Sequence, residues 1–178
     1  GADVSATNVL CTVETADRAH IDRLHACLTR EGIRFQPHVV IAPAMTGRHP
    51  DHIVTAQLVR DACFLAGLAK LAPDVPRHRP YKVVHTLAYR QDFEKPTFVV
   101  DITDEFERKM EAVRCYDSQF EGVRQGGEVY PNGEPFYDVV THYAAFYGTL
   151  IRRRYGEPFL TVETMGVNDI VSLGVPTF

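Results

Sequence analysis

The stretch that decides the fold is residues 39–59, which read VVIAPAMTGRHPDHIVTAQLV. It starts with the short apolar run Val39–Ala42 between two prolines, a pattern that predicts a strand buried on both faces. A polar segment follows, and then a run that we predict to form a helix over residues 50–70. A buried strand, a short loop and a helix in this order are typical of an α/β layered domain.

Outward from this stretch, the sequence predicts further helices and strands on both sides. Upstream, Ile21, Leu24 and Leu28 keep helical spacing and Gly32 offers a stop, which predicts an amphipathic helix over residues 15–32. Downstream we predict strands over 82–89 and 97–101, a helix from a Thr103 cap toward residue 119, a glycine-rich loop over 122–133 and a helix over 135–155, and we leave the tail from residue 157 unassigned.

The composition fits one globular domain. The 178 residues are 45% hydrophobic and 24% charged, enough to bury a single core, so we predict one domain over residues 1–178. A formal net charge of −4 provides no positive field that would attract nucleic acid. No apolar run reaches the roughly 20 residues that a membrane helix needs. We therefore expect neither nucleic acid nor a membrane as a partner.

Neither the cysteines nor the basic run of the sequence indicates a functional site. The four cysteines are widely spaced and form no CxxC pair, which argues against a disulfide framework or a thiolate zinc site and favours a reducing, cytoplasmic location. The three arginines at residues 152–154 lie at the end of a predicted helix, where cations interact favourably with the negative end of the helix dipole.

The segment His49-Pro50-Asp51-His52 is the strongest candidate for a functional site. Ligands of open α/β sheets bind beyond the carboxyl ends of the strands, and this segment follows such an end by a short loop. Pro50 suits the first helical position, which leaves His49 just before the helix and His52 in its first turn. The positive helix end favours neutral imidazole, the form that binds a metal. Asp51 can orient a ligating histidine from outside the coordination sphere.

Several plainer interpretations stand beside this one. Two histidines at a helix start also suit ordinary capping and surface polarity, and a catalytic zinc site usually has three protein ligands. Asp101 ends a predicted strand and is a weak candidate for the same crevice, but an aspartate there more often starts the following helix. Arg79 can supply charge to a carboxylate or a reaction intermediate, but by default it is a solvated loop arginine. His85 alternates with apolar neighbours, as a core histidine does. The chain contains no glycine-rich phosphate loop, nucleophile elbow or HExxH motif, which disfavours the classes that use them.

Five segments, in this order, carry a resemblance to a known family. They are VVIAP at 39–43, GRHPDHIVTAQLVRDACFLAGL at 47–68, HRP at 78–80, KPTFVVDITDEFERKMEAVRCYDSQF at 95–120 and YGEPF at 155–159. Together they resemble the LmbE/PIG-L-like N-acetylglucosamine deacetylases, and within that family the deacetylase of bacillithiol biosynthesis. The resemblance runs from about residue 37 to residue 173.

The resemblance implies an enzyme with one Zn2+ that hydrolyses the acetamide of an N-acetylglucosamine conjugate, typically N-acetylglucosaminyl malate, to an amine and acetate. It implies a zinc ligand at His52 and an active-site arginine at Arg79. His49 matches a residue that, when protonated, stabilises the oxyanion or protonates the leaving amine, and Asp51 is placed to keep it protonated. The implied fold is three-layered and Rossmann-like, with a mostly parallel sheet and helices on both faces.

One departure from the family is large. Its first motif, AHPDDE, supplies further zinc ligands and a general base, and this chain does not contain it. We therefore expect the carboxyl-terminal portion of such a domain, without the family's first strands. We expect the missing N-terminal segment either on another chain or on a part of the protein outside this sequence. The family also implies a homo-oligomer, a trimer or hexamer. The alternative is a non-catalytic assembly or sugar-binding subunit; a nucleotide-binding domain is disfavoured because no phosphate-binding glycines follow a strand.

Overall fold

The protein is described by a computed structural model that covers residues 26, 29–30, 35–47, 49–70, 76–87, 94–116 and 136–174. The predicted loop over residues 122–133 lies outside these ranges, as does most of the predicted helix over 15–32. The described elements are β1 (Val39–Ala42), α1 (Pro50–Leu65), β2 (Lys82–Thr86), β3 (Phe98–Asp101), α2 (Phe106–Arg114), α3 (Phe136–Leu150) and β4 (Gly156–Leu160).

The four strands form one sheet in the order β1-β2-β4-β3. β1 and β2 pair in parallel, with Val39 opposite Lys82 and Ala42 opposite His85, and α1 makes the crossover between them. β4 is antiparallel to both β2 and β3. Three of the four strands therefore run in the same direction, which confirms the predicted α/β fold with a mostly parallel sheet.

Both faces of the sheet are covered at β2. Val84 and His85 are 5% and 0% exposed, and consecutive residues of a strand point to opposite faces. Over one face of the sheet, Phe106 and Met110 of α2 join Val140 and Ala144 of α3 in a buried cluster. Layers on both sides of β2 agree with the predicted three-layer arrangement. None of the described helices is long and apolar enough to cross a bilayer.

β1 differs from the prediction that it is buried on both faces. Val39 and Ile41 are 50% and 61% exposed, whereas Ala42 is 2% exposed. Residues two apart share a face of the strand, so one face of β1 is bare among the described residues. The prediction is wrong for this part of the chain because β1 lies at an edge of the described sheet and pairs there with β2 alone.

β4 is a strand that the sequence pattern did not reveal, because a central strand should not contain proline. The register explains the exception. Thr86, the last residue of β2, pairs with Phe159, while Pro158 pairs with Val99 of β3. Pro158 therefore lies beyond the end of β2, where no hydrogen bond of the β2–β4 ladder is lost.

Two glycines allow α3 to lie close against β4. A Cβ atom on Gly156 would come within 2.9 Å of Gly148 N and Tyr147 C, and a Cβ on Gly148 within 2.7 Å of Arg153 O. These neighbours are backbone atoms that cannot rotate away. This close approach fixes the position of the short connection between α3 and β4.

The connection itself begins with a Schellman-type helix end. Arg152 has a left-handed φ of 60°, the Arg153 N–H donates to Gly148 O, and the Arg152 N–H donates to Thr149 O. α3 therefore ends at Leu150, earlier than predicted. The arginines at 152–154 therefore lie just beyond α3, whose last turn contains no basic residue, and not within the helix end as predicted.

α2 begins later than predicted. Its first residue is Phe106, and Thr103 does not cap it; the Thr103 hydroxyl instead donates to the Asp101 carboxylate at 2.7 Å. The same hydroxyl oxygen accepts a hydrogen bond from the Tyr155 N–H at 3.3 Å. Thr103 therefore joins the end of β3 to the start of β4.

Candidate functional site

The His-Pro-Asp-His segment opens α1 after a loop from the carboxyl end of β1. Gly47 turns this loop with a φ of 148°, a conformation that suits glycine. Pro50 is at the start of the helix, and His49 occupies the N-cap position without a side-chain hydrogen bond to the helix amides. Helix capping, one of the plainer interpretations, is therefore not the role of the His49 side chain.

The two histidine rings lie side by side. Their centroids are 5.1 Å apart with 26° between the ring planes. Asp51 Oδ2 is 3.7 Å from His49 Nδ1, and the His49 side chain is 61% exposed. This distance is too long for a hydrogen bond, but a protonated His49 forms an ion pair there. The structure thus brings together three of the four predicted site residues on an accessible surface.

The described residues do not complete a zinc site. A catalytic zinc usually takes three protein ligands and one open position. The described part of the chain contains no group of three His, Cys, Asp or Glu side chains that could hold a metal ion. His49 and His52 are suitable donors by chemistry, and any further ligands have to come from outside the described residues.

Arg79 lies at the opposite end of α1. Its guanidinium is 4.9 Å from the Phe64 ring centroid and lies directly over Gly67. At about 1.5 Å per residue, Gly67 is roughly 22 Å from His52 along the helix. The structure does not bring Arg79 to the histidines, so its assignment to their active site stays a prediction that this geometry argues against.

The chain topology explains this separation. In a β-α-β unit with parallel strands, the loop after the first strand lies at the carboxyl edge of the sheet, and the loop before the second strand lies at the amino edge. Arg79 belongs to the second loop. Its neighbour His78 bonds Pro37 O at the amino end of β1, at 2.8 Å, which confirms this placement.

A small crevice lies near the carboxyl end of β2. It contains a cavity of about 20 Å³, enough for one water molecule. The Tyr147 pKa is raised, chiefly by burial and then by Tyr143 and the Glu94 carboxylate. Glu94 also lies 3.4 Å from Thr46 in the loop before His49. The cavity is lined by residues of β2, α2, α3 and β4: Thr86, Leu87, Lys109, Tyr143, Ala144, Tyr147, Gly156, Glu157 and Pro158.

Sequence reasoning missed this crevice. Glu94 falls in a polar loop and the tyrosines fall on a predicted helix, so neither position breaks a local pattern. Asp101, in contrast, was a weak candidate, and the structure gives it a local role. Hydrogen bonds from Thr103 lower its pKa, and Arg153 adds to this effect.

Three solved structures share much of this fold, and no protein-family model matches the chain. The conserved protein TT1542 from Thermus thermophilus is 28% identical, with a TM-score of 0.67 over 82% of this chain and 61% of its own. An N,N'-diacetylchitobiose deacetylase from Pyrococcus horikoshii, in complex with the inhibitor MPG, is 30% identical, with a TM-score of 0.53 over 80% of this chain and 51% of its own.

The third structure is GalB, a 4-carboxy-2-hydroxymuconate hydratase from Pseudomonas putida. It is 17% identical, with a TM-score of 0.63 over 87% of this chain and 62% of its own, and supports the fold alone. The chain spans about half to three fifths of the length of these proteins. The comparisons support the deacetylase family that the sequence motifs resemble, without singling out its bacillithiol branch.

Proposed function

We propose that this chain carries part of the catalytic site of a zinc-dependent deacetylase that hydrolyses the acetamide of an N-acetylglucosamine conjugate. The observation that carries the proposal is the pair of stacked rings, His49 and His52, at the start of α1. They lie beyond the carboxyl end of β1, where α/β sheets bind ligands. The similarity to a deacetylase over 80% of this chain supports the same reaction class.

Each residue of the segment has a distinct role in the proposal. His52, exposed in the first turn of α1, is the proposed zinc ligand. His49 is the proposed proton donor, and the Asp51 carboxylate 3.7 Å from its ring is placed to pair with the imidazolium form. A protonated ring at this position can donate to the oxyanion or to the leaving amine.

The substrate and assembly are further parts of the proposal. We propose a small-molecule substrate, N-acetylglucosaminyl malate in bacillithiol biosynthesis, and a cytoplasmic location. We also propose a homo-oligomer, a trimer or hexamer, and a separate N-terminal segment that completes the site. β1 lies at an edge of the described sheet, and its Val39 and Ile41 side chains are exposed. Both features support association, since exposed apolar edge strands readily pair with other chains.

Acetate release tests the proposal. The full chain, in the assembly in which it is isolated, is incubated with N-acetylglucosaminyl malate and with N-acetylglucosamine, with and without added zinc. We expect zinc-stimulated release that His52→Ala abolishes. His38→Ala is the control, because His38 is an exposed histidine at the other end of β1. Equal release from wild type and His52→Ala would refute the role of His52.

A non-catalytic sugar-binding or assembly subunit is the second candidate. The observation that favours it is that the described residues hold no three-ligand metal group. It predicts sugar binding without acetate release and without sensitivity to chelators. Calorimetric titration of the sugar with and without EDTA distinguishes the two, because only the zinc enzyme depends on the metal.

A further inference from the structure

Each end of β1 is held by a histidine ring that bonds a proline carbonyl. His78 Nε2 is 2.8 Å from Pro37 O at the amino end, and His85 Nδ1 is 2.9 Å from Pro43 O at the carboxyl end. A carbonyl oxygen only accepts, so the ring nitrogen donates in both bonds. Pro43 is the first residue after β1 and opens the loop that leads to His49. The His85 bond therefore holds the start of the loop that leads to the candidate site, whereas the His78 bond lies at the opposite end of β1.

His85 is itself held in place by the sheet. It lies in β2 opposite Ala42 of β1 and opposite Leu160 of β4, and it is 0% exposed. Strand pairing on both sides fixes its backbone, and close packing leaves its ring little freedom. A donor with these constraints can define the position of the loop that it bonds.

The Nε2 atom of His85 shows that filling space in the core does not by itself explain why a histidine occupies this position. His85 Nε2 is buried and has no hydrogen-bond partner among the described residues. Donation from Nδ1 leaves the lone pair of a neutral ring on Nε2, and a buried unpaired acceptor destabilises the folded state. An apolar side chain, as at neighbouring Val83 and Val84, would avoid this. Residues that destabilise the fold in this way are concentrated at functional positions.

We propose that His85 is a positioning residue for the candidate site. Its Nδ1–H fixes Pro43, and through Pro43 the loop residues 44–47 that precede His49 and His52 at the start of α1. The loop also contacts Glu94 through Thr46, but that distance is 3.4 Å, so the His85 bond is the shorter of the two. The importance of His85 for catalysis rests on the proposed function. The ordering of the loop by His85 does not depend on that function.

Hydrogen–deuterium exchange of peptides covering residues 43–52 tests the proposal in three variants. His85→Leu removes both the Nδ1 donor and the unpaired Nε2 atom. His85→Asn keeps a donor near the position of Nδ1. His78→Leu is the matched control, because it removes the corresponding bond at the amino end of β1.

We expect exchange over residues 43–52 to become roughly five-fold faster in His85→Leu, the equilibrium factor for one typical hydrogen bond. His85→Asn and His78→Leu should keep the wild-type rate there, and α3 should be unchanged in all variants. If His85→Leu does not fold, His85→Gln replaces it, since its amide donor lies near Nε2 instead of Nδ1 and should also release the loop. Unchanged exchange over residues 43–52 in the folded variant, or an equal increase over the whole chain, overturns the proposal.

Zinc affinity provides a readout that separates this proposal from the proposed function. We expect it to weaken roughly ten-fold or more in His85→Leu, as for other groups that orient ligands, and to be kept in His85→Asn. Absence of zinc binding in the wild-type chain would count against the proposed function, and the exchange result would still decide the role of His85.

Discussion

Alanine at Gly156 is a sharp test of the packing that joins α3 to the sheet. The new Cβ would lie 2.6 Å from Val99 Cγ1 and 2.9 Å from both Gly148 N and Tyr147 C, whereas carbon atoms pack best at about 3.5–4.0 Å. Val99 can rotate, but the two backbone atoms move only if α3 shifts. Such overpacking costs about 1–3 kcal/mol, and the smaller conformational entropy of unfolded alanine offsets about 0.4–1 kcal/mol.

We therefore expect Gly156→Ala to lower the free energy of unfolding by about 1–2 kcal/mol. Urea denaturation measures the change, and the melting temperature should fall by roughly 2–8 °C for a chain of this size. Gly166→Ala is the matched control, because a Cβ there meets nothing within 4 Å. If Gly156→Ala were as stable as Gly166→Ala, the close approach of α3 to β4 would be wrong.

Three further predictions concern single residues. Arg152→Gly should raise the free energy of unfolding by about 1 kcal/mol, measured in urea, because glycine adopts the left-handed φ of 60° without strain; a decrease would contradict the helix end described above. The folded state lowers the pKa of Asp101 below its ordinary value of 3.8, so the ionised carboxylate stabilises the fold at pH values above 3.8. This contribution is lost as the pH falls through the lowered pKa. Urea midpoints of the wild type and Asp101→Asn should thus converge on acidification, and a constant difference between pH 7 and pH 2 would contradict this. Arg79→Ala should leave the zinc affinity of the chain unchanged, because its guanidinium lies over Gly67, roughly 22 Å from His52 along the helix direction. A ten-fold loss measured by chelator competition would contradict this and support a place for Arg79 in the site.

The start of α1 and the existence of strand β1 were predictable from local patterns. Proline at a first helical position and a short apolar run are signals that act over a few residues. β4 was not predictable in this way, since Pro158 is tolerated only because β2 ends one residue before it in the register. That condition involves three strands that are distant in sequence.

The site was predicted in part for a similar reason. His49, Asp51 and His52 are neighbours in sequence, so their proximity follows from the helix start itself. Arg79 was grouped with them by family resemblance, although the order strand, helix, strand places its loop at the other edge of the sheet. The role of His85 depends on the register that sets it opposite Ala42, and no local pattern contains that information.

Zinc content is the most direct test of the central claim that His49-Pro50-Asp51-His52 belongs to a metal-dependent deacetylase site. It is measured by elemental analysis of the purified chain after dialysis without chelator, together with His52→Ala and His38→Ala. The account predicts near-stoichiometric zinc in the wild type and in His38→Ala, and its loss in a folded His52→Ala. Folded wild-type protein without zinc, or equal zinc in His52→Ala, would contradict it.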